Sequence, residues 1–127
     1  MRLSEQTPGL LDKVNNFLTV DANSKSTTIE AYNDVLSDYT VVLYMNPDFI
    51  FGYYNRGNIY CKTEKYFQAV EEYDKAIAIE PEFAEAFYNR CLVKILMNDV
   101  EGGAKDLSRA GELGIKTAYN VIKRYCN

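Results

Sequence analysis

Histidine is absent from the 127 residues, so the side chain most often used as a general base near neutral pH is missing. The densest carboxylate group, Glu71, Glu72 and Asp74, has neighbours that point to different faces of a helix. It reads as a solvated face rather than a paired acid and base. Cys61, Cys91 and Cys126 are odd in number and widely spaced, which suggests neither a disulfide scaffold nor a zinc site. They read as small buried or half-buried thiols. A Cys61 nucleophile needs an activating partner, and none is identifiable. No glycine-rich phosphate loop or nucleophile motif occurs. The expectation is a chain without catalysis, metal or cofactor.

What does recur are residue types that bind. Tyr54 and Tyr88, Asn55 and Asn89, and Arg56 and Arg90 each stand 34 residues apart. An amide offers both donor and acceptor, so Asn55 and Asn89 suit either a partner's backbone or the ends of neighbouring helices. The two arginines have stems that cover apolar surface while the guanidinium reaches an acid, which favours a structural role. Tyr54 and Tyr88 lie beside the core aromatic of their helix rather than on the core stripe, and exposed aromatics are favoured interface anchors.

The elements that position these residues follow the same period. Asn46-Pro47-Asp48-Phe49 is echoed by Glu80-Pro81-Glu82-Phe83, and Tyr53-Tyr54-Asn55-Arg56 by Phe87-Tyr88-Asn89-Arg90. A recurrence of this length signals a helical repeat array. The middle repeat, 47–81, predicts helices over roughly 48–61 and 65–79. Gly57 inside the first marks a place where a second helix crosses too close for a side chain, and small Ala69 and Ala76 keep the helices near one another. The next repeat, 82–114, sets Cys91 where Gly57 stands, Gly103 where Ala69 stands, and Leu107 and Ala110 where Tyr73 and Ala76 stand. Its adjacent Gly102 and Gly103 leave the start of its second helix free to slip.

A divergent repeat occupies 8–46. Thr7-Pro8 looks like a helix start, followed by an apolar face of Leu10, Leu11, Val14, Phe17 and Leu18. Asp21 to Thr28 is polar and expected to be a loop. A helix over Glu30–Met45 should then cover Tyr32, Val35, Leu36, Tyr39, Val42, Leu43 and Met45. At the other end, Gly111-Glu112-Leu113-Gly114 closes a helix with Gly114 in the left-handed position. A helix in 115–127 then caps the array.

Length and charge set outer bounds. The chain suits one domain, 1–127, rather than two globular cores. Its net charge of -4 and lack of a basic stripe argue against nucleic acid and anionic membrane. No apolar run is long enough to cross a bilayer, and the first residues show no apolar signal-peptide region. A chain this short with repeats is compatible with a piece of a longer one. The compartment stays unassigned, with cytoplasmic the default.

Tyr53, Gly57, Tyr60, Ala69, Tyr73, Ala76 and Pro81 resemble a tetratricopeptide repeat, with tyrosine in place of the family's tryptophan and Arg56 where leucine is usual. The join from Ala110 to Tyr119 is similar to those of Sel1-like repeats. The resemblance implies an all-α fold, a right-handed superhelical solenoid of stacked antiparallel helix pairs, whose first helices line a concave groove for a peptide or helix of another protein. Carried over by position, the groove would display Phe51, Tyr54, Asn55, Asn58 and Lys62, then Glu85, Tyr88, Asn89 and Leu92. Asn55, Asn58 and Asn89 match asparagines that help hold a partner's C-terminal carboxylate in chaperone-binding members. The sequence departs from that pattern: Phe51 and Tyr54 stand where a basic clamp is expected, and Glu85 would repel a carboxylate. The alternative to a groove-binding module is a structural segment of a larger array that packs on neighbouring repeats or self-associates.

Overall fold

The computed structural model describes residues 25–116. Five helices follow one another: α1 (Lys25–Met45), α2 (Ile50–Lys62), α3 (Tyr66–Ile79), α4 (Ala84–Leu96) and α5 (Val100–Glu112). α2 packs on α3 and α4 on α5 as antiparallel pairs, while α3 against α4 joins one pair to the next and α1 lies on α2. The expected helix over 8–20 lies outside the described residues, as does the capping helix beyond Lys116.

Recurrent turns repeat along with the helices. Pro47 and Pro81 occupy the second place of two equivalent turns, closed by Phe49 N–H to Asn46 carbonyl and Phe83 N–H to Glu80 carbonyl, both 3.1 Å. Proline's fixed φ suits that place. The other kind of turn ends α2, α4 and α5. In α2 the Lys65 N–H reaches the Tyr60 carbonyl and the Glu64 N–H the Cys61 carbonyl; Asp99 and Asn98, and Ile115 and Gly114, repeat the pattern. This is the Schellman arrangement, which satisfies carbonyls that a helix end leaves open. Its left-handed residue is Glu64 at φ 61°, Asn98 at φ 64° and Gly114 at φ 106°. The expected role of Gly114 is met, and a glutamate fills the same place at Glu64.

Three expectations are corrected. α1 starts before Glu30 and takes in Lys25–Thr28, against the loop expected from their polarity. Low helix propensity in a few polar residues is a weak force beside continuation of a long helix. On that helix Leu43 is buried and Tyr32, Leu36 and Tyr39 are half-buried, but Val35, Val42 and Met45 are exposed. The start of α5 does not slip: the Asp99 carboxylate caps it by accepting the Gly102 N–H at 2.9 Å.

The core is built from close helix crossings. A Cβ placed on Gly57 would lie 2.7 Å from Cε1 of Tyr73, whose side chain is fully buried. In the next pair, where Gly103 takes the place of Ala69, a Cβ on Gly103 would sit 3.1 Å from Ile95 and 3.3 Å from the Cys91 carbonyl. Gly57→Ala is therefore expected to destabilise the chain by about 1–3 kcal/mol through overpacking, outweighing a helix-propensity gain of about 1 kcal/mol. Urea unfolding of the two forms reads this directly. An equal or higher midpoint for the alanine form would show that Tyr73 can move aside.

Candidate functional site

The first helices of the two complete pairs, α2 and α4, carry all nine positions expected to line a groove. Their environments differ sharply. Phe51 is 53% exposed and meets the buried Phe83 ring edge-on at 5.8 Å, while Glu85 is exposed at the start of α4. Tyr54 is half-buried, its ring 4.9 Å from that of Phe83 and 6.1 Å from that of Tyr73. Tyr88 and Leu92, also half-buried, pack against Cys91, Leu107 and Ala110. Both tyrosines thus belong in part to the core that sequence position alone had set beside them. Lys62 lies at the far end of α2, with its ammonium 5.9 Å from the Tyr32 ring.

Three of the amides separate by role. Asn89 donates through Nδ2 to the Tyr54 hydroxyl at 3.0 Å and to Asn58 Oδ1 at 2.9 Å. Asn58 Oδ1 also accepts the Tyr73 hydroxyl proton at 2.5 Å. With that proton committed, the Tyr73 oxygen accepts from the Cys61 thiol, 3.4 Å away. A continuous polar chain therefore runs from Tyr54 on α2 through Asn89 on α4 back to Asn58, then to Tyr73 on α3 and Cys61. The geometry assigns Asn89 to packing between repeats, through side chains rather than helix ends. Asn55 is half-buried and makes no hydrogen bond among the described residues, so its amide is the one left for a partner.

Burial governs the ionisation of this chain. It raises the Tyr54 phenol, with the hydrogen bond of Asn58 opposing, Glu85's charge adding to the rise and Asn89 opposing. It holds Tyr73 well above the usual phenol range and pushes Cys61 from its ordinary 9.0 up to about 12. An unfolded chain loses the thiol proton near its ordinary value while the folded chain keeps it until about 12. Stability is therefore undiminished below pH 9.0 and falls as pH climbs from there to about 12. Urea midpoints taken at pH 8 and pH 11 should show the loss, and Cys61→Ala should reduce it; a parent midpoint that does not move would contradict the burial. At pH 8 the folded thiol should also resist a disulfide reagent that labels it in urea.

The charged residues overturn one expectation. Glu72 is buried at 5% exposure, accepting Arg56 Nε at 2.7 Å with Lys75 at 3.2 Å, and so is not part of a solvated face. One repeat later the buried Asp106 takes Arg90 through Nε at 2.8 Å and a second nitrogen at 2.7 Å, with Lys94 at 3.0 Å. Arg90 also reaches back to Asp74 at 2.7 Å. Burial works against the Arg90 charge, but the hydrogen bonds and fields of Asp106 and Asp74 raise its pKa above the ordinary value. The arginines are structural, as their stems suggested. Asp106 was missed by sequence reading, although the 34-residue period places it where Glu72 stands.

Between α2, α3 and α4 opens a cleft of about 400 Å³. Ile50, Ile79 and Phe83 supply apolar walls and Phe51 one side, with Glu80, Glu82 and Glu85 around them. It brings Phe51 and Glu85 together, apart from the asparagine network. No group of His, Cys, Asp or Glu among the described residues can hold a metal, and no described helix is long and apolar enough to cross a membrane.

Residues 57–94 match the family model described as TPR repeat. Among solved structures, the chain is similar to the first TPR of Spaghetti (RPAP3) bound to the HSP90 peptide SRMEEVD. The TM-score is 0.68 at 20% identity, over 91% of this chain and 86% of that one. It is also similar to a MamA RS-1 ArsTM double mutant, with TM-score 0.61 and 22% identity, over 69% of this chain; the match spans about half, 49%, of the MamA chain. No curated protein matches the sequence significantly. At these identities the solved structures establish the fold, a solenoid of paired antiparallel helices.

Proposed function

We propose that the chain is a tetratricopeptide-repeat protein, as the family match over residues 57–94 supports, and a non-enzymatic interaction module that binds a peptide or helical segment of another protein on the surface shared by α2 and α4. The observation that carries this reading is Phe51. It is a large aromatic ring, half in water, at the side of an open cleft on the first helix of a repeat. Tyr54, Asn55, Asn58, Lys62, Tyr88, Asn89 and Leu92 complete the surface, Asn58 and Asn89 by fixing its shape and Asn55 by offering its amide. The RPAP3 domain is bound to the HSP90 peptide SRMEEVD, whose three acidic side chains outnumber its one arginine. Here Phe51 and Tyr54 replace a basic clamp and Glu85 adds negative charge, so the ligand belongs to another class. The Sel1-like join from Ala110 to Tyr119 forms part of the same proposal.

Panning a displayed peptide library against the chain tests the module. Enriched peptides should bind the parent and lose affinity by about tenfold on Phe51→Ala, a loss of the size expected when an anchoring aromatic is truncated. Circular dichroism should show both forms equally helical. Peptides indifferent to Phe51 would refute the assignment of the surface. A second reading, a structural segment that self-associates, is favoured by the exposed Tyr44 (88%) and Met45 (79%) on α1. Sedimentation velocity separates the two: a dimer abolished by Tyr44→Ser with peptide binding intact would assign α1 to self-contact.

A further inference from the structure

Resting on the groove reading, we infer that the cleft between α2, α3 and α4 takes a segment in which an apolar side chain is flanked by lysine or arginine. The walls of Ile50, Ile79 and Phe83 offer apolar surface, and about 400 Å³ is the size that ordinarily accepts a small ligand or an anchoring side chain. Around it stand Glu80, Glu82 and Glu85.

The charge of this rim is what selects the occupant. Elsewhere the chain neutralises its inward acids: Glu72 has Arg56 and Lys75, and Asp106 has Arg90 and Lys94. At the cleft the acids are exposed instead of inward, and they stay open to a partner's cations. Glu80 accepts only the Glu82 backbone N–H, at 3.0 Å, and no ion pair among the described residues engages Glu80, Glu82 or Glu85. The Glu85 field reaches into the groove as far as the Tyr54 hydroxyl. Three like charges beside a low-dielectric wall focus a negative potential, which draws cations and repels carboxylates. An acidic tail is the wrong ligand for such a rim. A second copy of this chain is a poor occupant as well, since it brings a net charge of -4. A segment with an apolar residue for the cleft and basic residues for the glutamates satisfies both features.

Three fluorescein-labelled dodecapeptides with the same leucine and phenylalanine positions, spaced by lysine, glutamine or glutamate, test this by anisotropy and amide chemical shifts. The lysine peptide should bind about tenfold more tightly than the glutamine one at low salt and lose that advantage near 1 M salt. Glu82→Gln with Glu85→Gln should weaken it about fivefold, as expected for two exposed pairs. Glu30→Gln with Glu71→Gln, which changes net charge equally at exposed sites away from the cleft, should change it less than about twofold. Equal losses from both pairs would reduce the effect to bulk charge and overturn the inference. So would a glutamate peptide that binds as tightly, or a lysine peptide that fails to shift Phe51 and Glu85. If the glutamine peptide shifts Tyr54 and Asn55 amides as strongly as the lysine one, the groove reading survives and the cationic preference falls. If no peptide shifts any groove amide, both fall.

Discussion

Replacing Tyr73 with alanine is expected to destabilise the chain by about 3–5 kcal/mol, the range for removing a large buried aromatic side chain. Tyr73 is fully buried, sits against Gly57, and packs with Cys61, Ala69 and Val93. Its hydroxyl adds a polar contribution, since it donates to Asn58 and accepts from Cys61. Tyr73→Phe should therefore lose about 1–3 kcal/mol with the core volume kept. Urea unfolding measures both. A chain of repeats need not unfold as one unit, because each pair contacts only its neighbours. Amide exchange should accordingly show α2 and α3 losing protection first and α4 with α5 retaining more. Uniform loss would mean that the polar chain from Tyr54 to Asn89 couples the repeats into a single cooperative body. A Tyr73→Ala form as stable as the parent would contradict the assigned burial.

Asp106→Ala is the second large effect. It leaves Arg90 and Lys94 without their shared carboxylate, and Arg90 keeps only Asp74. Stranding a charge in a buried pair costs about 3–5 kcal/mol. Here the loss should fall near the lower end, because the Arg90 side chain is 15% exposed and its second acid remains. Thermal and urea midpoints give the value. A double substitution, Arg90→Met with Asp106→Leu, should recover most of it, since apolar groups of similar volume often replace a buried ion pair without loss. If the double form is no better than Asp106→Ala, then directional hydrogen bonding across the α4–α5 pair, rather than relief of an unpaired charge, is what the site supplies. The equivalent experiment at Glu72 acts on α2 and α3 through Arg56.

The pairing of Arg90 with Asp106 shows how legibility divided. The period of 34 identified the helices, the two proline turns, the small residues at crossings and the arginines that recur. Those features are local or periodic: a helix face, a turn and a missing side chain can each be read from spacing along one strand of text. Glu72 could not be separated from Glu71 or Asp74 in the same way. Three neighbouring acids look alike until the rotation of α3 against α2 turns one toward Arg56 and leaves Glu71 in water. Asn58 and Asn89 posed the same difficulty. Their positions matched a binding pattern, yet α2 and α4 approach so closely that the two amides bond each other, while the Asn55 side chain bonds none of the described residues.

The sequence by itself determined that this is an all-α repeat solenoid, because helical periodicity, proline placement and small residues repeat at a fixed interval. It determined as well that histidine and the recognisable catalytic motifs are missing, since that depends on residue types and spacing alone. Only the tertiary structure decided which acids are buried, which amides remain free and where Phe51 and Glu85 meet over an apolar cleft. Those outcomes depend on the angle and separation of one helix against another, and a few degrees of rotation exchange a solvated side chain for a paired one.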